Sequence, residues 1–473
     1  MFRSKVRERR IFTKGRRVRR RFSWLGAIAS VVLILLVLEL LTRIFIDLSG
    51  SRSEFAQTEE SILEQAYGLN FITPTPESTQ QEIKRGELTA QSAISVGYEL
   101  IPNQQSEYWQ INEQGFRDRD PVPLAKPKDE IRIFLLGGST AFGYGNSSND
   151  TTISAQLQQR LQQRLQQQQT SPQLYQPDLL PIDQVERQKS LAKPAKIKPG
   201  NYRVINAAVP GYASGNEMAQ LALQILKYKP DLIVVLDGYV DLMLDSTQTA
   251  TQVPRLETDL ADQPSSVGTY LDRLIEPLRN NSYLVKAAEN KWLSASETNS
   301  QTDFIFGEKT SNLVKHLPTS EAELQSRVDR YIEHQKQMLN LSTAAQVPLV
   351  VAIQPEITGR NPSQLTDIEG EIATELGRTY IERVKEIYPA FSLAASQLAK
   401  AYPKNLEVID LYKLTDKYPS PSFIDAIHLN EAANEEAAEQ LYYAIAGFSK
   451  MQVVPQQEAT PVQEPALRQL RRS

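Results

Sequence analysis

Five short stretches, Ile131 to Leu136, Tyr202 to Ala207, Asp231 to Asp237, Val347 to Ile353 and Asn405 to Leu411, are rich in β-branched residues and do not alternate apolar with polar positions. A strand that is apolar on both sides must be covered on both sides, which is the condition inside a parallel sheet lying between helical layers. Helical patterns fall between the stretches. Ile153, Leu157, Leu161 and Leu165 recur every four residues, and Ser320 with Glu323 has the pattern of a capping box ahead of Leu324, Val328, Tyr331 and Ile332. The alternation predicts an α/β fold, a three-layer sandwich. Two insertions interrupt it. Residues 170–200 are rich in Pro, Gln and Lys and have little to bury, while residues 246–319 hold helical pieces around Leu271 to Leu284 and a polar stretch from Ser294 to Thr302, long enough to cover a site.

Ahead of this body, Phe22 to Leu41 reads FSWLGAIASVVLILLVLELL, with Glu39 its only charge. At about 1.5 Å per residue these twenty residues cross the ~30 Å hydrocarbon core of a bilayer. Glu39 and Arg43, four apart, have the spacing to pair on the helix surface. A cleaved signal peptide fits less well, since the apolar stretch exceeds the usual 7 to 15 residues or so and no small-residue cleavage site follows. Of the 52 Lys and Arg in the 473 residues, eleven lie within Met1 to Arg21 beside a single acidic residue, Glu8. The net charge of −4 thus conceals a strongly basic tail followed by 41 basic against 55 acidic residues. That asymmetry argues against nucleic acid as a partner and, by the positive-inside rule, keeps the tail in the cytoplasm. The expected organisation is a basic cytoplasmic tail (1–21), a single-pass signal-anchor helix in the plasma membrane (22–46), a stalk (47–110), the α/β domain (111–449) on the extracytoplasmic side, and a disordered tail (450–473) with Pro455, Pro461 and Pro465 among glutamines.

The chain has no cysteine, so disulfides, thiolate metal sites and cysteine nucleophiles are excluded. It has three histidines, His316, His334 and His428. The first apolar stretch runs into Gly137-Gly138-Ser139-Thr140-Ala141-Phe142-Gly143, placing a serine at the carboxyl end of a buried strand, where open α/β sheets bind ligands. A phosphate loop would need a following Lys-Ser/Thr that is absent; a purely structural turn with Ser139 as helix cap remains open. After the last stretch comes Ser422-Phe423-Ile424-Asp425-Ala426-Ile427-His428-Leu429-Asn430, then a helical pattern through Leu441. A serine nucleophile needs a base and the base an orienting carboxylate. Asp425 and His428, three apart in a loop entering a helix, suit those two roles, and His316 and His334 have no comparable neighbours in sequence.

With these blocks in view, the chain from Ile131 to Phe448 resembles the SGNH, or GDSL-type, hydrolase family. Gly137-Gly138-Ser139 resembles the nucleophile block, Asn206-Ala207-Ala208-Val209-Pro210-Gly211 the glycine block, Asp237-Gly238-Tyr239-Val240-Asp241 the third block, and Asp425 to His428 the terminal D-x-x-H. The resemblance implies a flavodoxin-like sheet, Ser139 as nucleophile, His428 as base, Asp425 as its partner, and an oxyanion hole from the backbone N–H groups of Ser139 and Gly211. It implies no cofactor and no metal. Asn112-Glu113-Gln114-Gly115-Phe116-Arg117 is similar to a lead-in of membrane-attached bacterial members, and is read here as packing.

Two departures stand out. Gly138 occupies the place of the family's usual aspartate before the serine, and Val240 that of the third-block asparagine, whose amide would donate to the oxyanion. Loss of one such donor removes about 2.7 to 4 kcal/mol of transition-state stabilisation. Asn216 is a conceivable replacement, and Asp241 is expected to cap the helix that follows it. The expected function is a membrane-anchored serine esterase acting on an acyl ester of a cell-envelope glycan or lipid. The alternatives are an O-acyltransferase using the same triad, and a binding or scaffold protein that has lost most catalysis through Val240.

Overall fold

The computed structural model describes residues 66–71, 87–247, 310–414 and 421–457. The basic tail, the 22–46 segment, most of the 246–319 insertion with its Leu271 to Leu284 pieces, and the last sixteen residues lie outside the described residues. Among the described residues no helix is long and apolar enough to cross a membrane.

Ahead of the main sheet, β1 (Leu69–Phe71), β2 (Leu88–Ala93) and β3 (Gly97–Leu100) form a small sheet in the order β1-β2-β3. The main sheet holds β4 (Glu130–Gly137), β6 (Asn201–Asn206), β7 (Leu232–Asp237), β8 (Leu349–Ile353) and β9 (Leu406–Asp410), all parallel, in the order β6-β4-β7-β8-β9. Numbered along the chain this is 2-1-3-4-5, the flavodoxin-like order, with its topological switch between β4 and β7. Each strand matches one of the five stretches read from the sequence to within two residues at either end.

Alternate residues of each strand enter separate cores, as the pleat requires. Ile133, Leu135, Leu232, Val234 and Val350 face α2 (Ile153–Thr170) and α9 (Glu431–Gly447) through Leu157, Leu161 and Leu441. Phe134, Leu136, Ile233, Val235 and Val351 face the other layer, built from Leu221, from Met338 and Leu339 of α6 (Glu321–Ala344), and from Leu398 of α8 (Pro389–Ala401). The α/β sandwich expected from the buried strands is therefore what forms.

Three expectations are corrected. Residues 66–71 and 87–110 are not stalk: Tyr67, Leu88, Ala90, Tyr98, Leu100 and Trp109 are buried in the main core, and the Trp109 indole N–H donates to the Ala66 carbonyl at 2.8 Å. Their apolar residues are spread singly among polar ones, so no run announces them. The 170–200 insertion buries Tyr175, Leu180 and Ile197, and forms β5 (Leu179–Leu180) and α3 (Gln184–Leu191). The chain past Met451 is ordered at least through β10 (Gln456–Gln457), which pairs parallel with β5, while Val453 N–H donates to the Lys196 carbonyl. Two segments that looked structureless apart thus satisfy each other's backbone groups. At α6 the capping box is half formed. The Ser320 hydroxyl accepts from Glu323 N–H, but the Glu323 carboxylate turns to Ser246 and Arg327.

Candidate functional site

The turn after β4 is shaped by glycine. Gly137 has φ 149°, and a Cβ there would stand 2.3 Å from the Leu236 carbonyl oxygen and 2.6 Å from the Ala141 Cβ, so any larger residue forces strand and turn apart. Gly138 caps α1 (Ser139–Phe142), making Ser139 its first residue and not its cap, with the residue's own N–H unpaired within the helix. The short helix is held from below. Arg117, fully buried, donates to the carbonyls of Phe142 (3.0 Å), Gly143 (2.7 Å) and Tyr108 (3.0 Å), while the Asn206 amide donates to those of Ala141 and Phe142, both at 3.1 Å. The lead-in block accordingly packs beneath the serine turn, as its sequence suggested.

The loop between β9 and α9 brings the terminal D-x-x-H to that turn. His428 Nε2 lies 2.7 Å from Ser139 Oγ, and His428 Nδ1 lies 2.5 Å from Asp425 Oδ2. Asp425 Oδ1 accepts from the backbone N–H groups of Ile427 (2.9 Å) and His428 (2.8 Å). Burial alone pushes the Asp425 carboxyl up. The charge of His428 and the three hydrogen bonds outweigh that and hold it below the usual carboxylate range. Ser139 and His428 are 3% and 2% exposed. Ser139 lies 289 positions before His428 in sequence, yet its hydroxyl is in line with an oriented imidazole for proton transfer.

Several supporting groups escaped the sequence reading. Tyr144 stacks on the His428 ring at 4.3 Å between centroids and 22° between planes, fixing the imidazole plane. The Thr140 hydroxyl donates to the Ile427 carbonyl at 3.2 Å and accepts from the Gln354 amide at 3.3 Å, tying the serine turn to the histidine loop. Beneath that loop, Arg360 and Glu369 form an ion pair at 3.0 Å with both side chains fully buried. Only this last feature left a readable trace: Thr366 and Glu369 form a complete capping box at α7 (Asp367–Ile387).

Val240 and the turn at Gly211 flank the serine turn from the other side. A Cβ on Gly138 would meet the Tyr212 carbonyl at 3.2 Å and the Val240 Cγ2 at 3.9 Å, so the family's aspartate would be crowded here. Among the described residues, neither Ser139 N–H nor Gly211 N–H has a hydrogen-bond acceptor. Asn216 is not the missing donor. Its amide donates to the Val96 carbonyl at 2.8 Å and its Oδ1 accepts from Ala213 N–H. Asp241 does not cap the helix after it either. It lies inside α5 (Tyr239–Met243), whose cap is Gly238, and its carboxylate accepts from Ser214 N–H (2.9 Å) and Ser214 Oγ (2.5 Å) at the start of α4 (Ser214–Gln220). His334 also has close polar neighbours after all, its Nδ1 lying 2.8 Å from Ser214 Oγ. Both contacts join elements that are far apart in sequence, which is why spacing did not reveal them.

Behind Asp241 lie two further buried carboxyls. Burial pushes Asp237 up to about 7, against hydrogen bonds from Tyr331 (2.8 Å) and Gln335 (2.8 Å). Glu217 is pushed well above the carboxylate range by burial and then by the charge of Asp237. Both Glu217 oxygens are buried without a hydrogen-bond partner among the described residues, so burial of the ionised form would go uncompensated. Among the described residues no group of three acidic or histidine side chains is arranged to hold a metal ion.

Comparison with known proteins places these observations. No curated protein sequence matches the chain. Among solved structures, it is similar to a lipase/acylhydrolase from Enterococcus faecalis, at 15% identity over 67% of this chain and 96% of the other, with a TM-score of 0.32. It is also similar to a catalytic mutant of an acetylxylan esterase from Geobacillus stearothermophilus, at 11% identity over 68% and 96%, with a TM-score of 0.32. At these scores neither fold nor substrate follows from them. A protein-family model described as GDSL-like lipase/acylhydrolase matches residues 298–441, a span that contains Asp425 and His428 and stops short of the Ser139 turn. That match supports a hydrolase acting on ester bonds.

Proposed function

We propose that the chain is a serine esterase of the SGNH type, anchored in the plasma membrane by residues 22–46 with its α/β body outside, and that it cleaves an acyl ester on an envelope glycan or lipid. The observation that carries the reading is the Asp425–His428–Ser139 line, with contacts of 2.5 and 2.7 Å. A neutral His428 accepts the Ser139 proton through Nε2 as Oγ attacks the acyl carbonyl carbon. The oxyanion so formed faces the N–H groups of Ser139 and Gly211. His428 returns the proton to the departing alcohol oxygen, leaving an acyl-serine; water then attacks that ester, giving its proton to His428, which passes it to the departing Ser139 Oγ as the C–Oγ bond breaks, releasing the acid and restoring the free serine and neutral imidazole. The direct test is covalent labelling with a fluorophosphonate probe. Wild type is expected to label at Ser139 and Ser139→Ala not at all; equal labelling of the two sinks the proposal.

Val240 favours a second reading, a binding protein with the fold but little turnover. Val240→Asn separates them on a short-chain aryl ester. If the site lacks a donor, the substitution raises turnover by at most the ~10² to 10³-fold associated with one oxyanion contact. The gain is expected to be smaller, because the new amide sits among neighbours shaped around valine and a misplaced donor stabilises the transition state poorly. Robust Ser139-dependent turnover in wild type with no gain from Val240→Asn refutes the claim that the site is short of a donor. Wild type without Ser139-dependent turnover supports the binding reading.

The topology has its own test. With eleven basic residues on one side of the apolar span, protease added to spheroplasts is expected to digest the body while the tail is spared. Protection of the body until lysis reverses the assignment.

A further inference from the structure

Asp241 directly follows Val240, in the loop and helix after β7, and its fully buried carboxylate crosses to a different element. Oδ2 accepts the Ser214 N–H at 2.9 Å and Oδ1 the Ser214 hydroxyl at 2.5 Å. Ser214 opens α4, three residues after Gly211. With its proton committed to Asp241, the Ser214 oxygen accepts from His334 on α6, which fixes the imidazole tautomer with hydrogen on Nδ1, 2.8 Å away. The Arg330 guanidinium donates to the Asp241 main-chain carbonyl at 2.9 Å and holds that stretch from α6 as well. One carboxylate therefore joins the third-block loop to the turn bearing Gly211, and these are the two walls that meet at Gly138.

We propose that Asp241 is a positioning residue that orients the Gly211 N–H toward the oxyanion, acting through Ser214 and braced by His334. This rests on the esterase reading of Ser139. With valine at position 240, two backbone N–H groups face the oxyanion in place of a larger set of donors, so the direction of each counts for more. The turn is also held on its far side, where the Tyr98 hydroxyl donates to the Pro210 carbonyl at 2.6 Å, the Tyr212 hydroxyl donates to the Tyr98 carbonyl, and Ala213 N–H donates to Asn216 Oδ1. Removing Asp241 thus frees one edge of the turn and leaves the other in place. The turn tilts, and the donor misses the oxyanion while the ground-state ester still binds.

The experiment uses the full chain in lipid nanodiscs and compares wild type with Asp241→Ala, Asp241→Asn and Ser214→Ala. Reactive serine is titrated with a fluorophosphonate, so that turnover of an aryl acetate is expressed per functional site, and affinity is measured for a trifluoromethyl ketone, whose serine adduct carries an oxyanion. Asp241→Ala is expected to lower kcat per site by about 10- to 100-fold with KM changed less than about threefold. Trifluoromethyl ketone affinity is expected to fall by a similar factor. Asp241→Asn, which keeps an acceptor for Ser214, restores most of both, and Ser214→Ala, which keeps the main-chain contact, falls between. A merely structural role would instead reduce the titratable serine and leave turnover per site and ketone affinity within about twofold of wild type, which would overturn the proposal. Absence of Ser139-dependent turnover in wild type would overturn the esterase reading, and this proposal with it.

Discussion

Replacing Ser139 by alanine is expected to lower kcat for an aryl ester by about 10⁴-fold or more, approaching the order of 10⁶ seen when a serine hydrolase loses its nucleophile. At 1.36 kcal/mol per decade this corresponds to roughly 5 to 8 kcal/mol of transition-state stabilisation. The size follows from the geometry: Ser139 Oγ is 2.7 Å from the only imidazole that meets it, and no second hydroxyl is poised on His428 Nε2 among the described residues. His428→Ala is expected to fall as far, and the double variant no further, because serine and histidine act as one unit. Asp425→Ala falls less, by about 10⁴-fold, since the imidazole persists but loses its orientation and its counter-charge. The Asp425 carboxyl is held below the usual carboxylate range, so its stabilising contribution is fully present above the ordinary aspartate value of about 3.9 and is lost as pH falls through the depressed one. Activity loss on mild acidification therefore arises elsewhere than in Asp425. A Ser139→Ala enzyme that retains a tenth of wild-type turnover, measured with purified protein, removes Ser139 from the reaction.

How far the sequence revealed this site depends on whether a feature is local. The five buried strands are continuous runs, and a run of residues apolar on both faces has few other places to go; hence their near-coincidence with β4, β6, β7, β8 and β9. Ser139 was legible because the glycines before it and the strand before them form one contiguous block, and Asp425 with His428 because a carboxylate and an imidazole three apart can meet across one turn of chain. The supports were not legible. Tyr144 on His428, Thr140 on Ile427 and Asp241 on Ser214 are contacts between blocks, whose pairing depends on how the loops fold over the sheet end. The small sheet β1-β2-β3 was missed for another reason. Its residues are buried by a neighbouring surface, with the Tyr98 hydroxyl on the Pro210 carbonyl, and not by their own periodicity.

The buried pair of Arg360 and Glu369 is where loss of a single side chain is expected to cost the fold most. Glu369 Oε1 accepts from Ser422 N–H at 2.8 Å, and Arg360 Nη1 donates to Ser422 Oγ at 2.9 Å. Ser422 in turn accepts from Asn430 N–H at 2.8 Å, and Ile424 N–H donates to the His428 carbonyl at 3.0 Å, so the pair grips the base of the loop that carries Asp425 and His428. Arg360→Leu leaves an ionised carboxylate buried without its counter-charge and is expected to destabilise by about 3 to 5 kcal/mol, a large part of the ~5 to 15 kcal/mol that holds a typical native protein together. The reverse variant, Glu369→Leu, strands the guanidinium and costs a similar amount. In the double variant no charge is stranded, and replacing a buried ion pair by apolar side chains is often neutral or stabilising by about 1 to 4 kcal/mol. Stability measured by denaturant midpoint should then recover toward wild type. Turnover should not, because Ser422 has lost its hydrogen bonds to Glu369 and Arg360 and the His428 loop can shift relative to Ser139, where about 1 Å of misplacement can cost on the order of 10²-fold. An Arg360→Leu protein destabilised by less than about 1 kcal/mol contradicts the burial argument. A double variant that regains both stability and turnover shows that packing alone positions the histidine loop, with no contribution from the Ser422 hydrogen bonds.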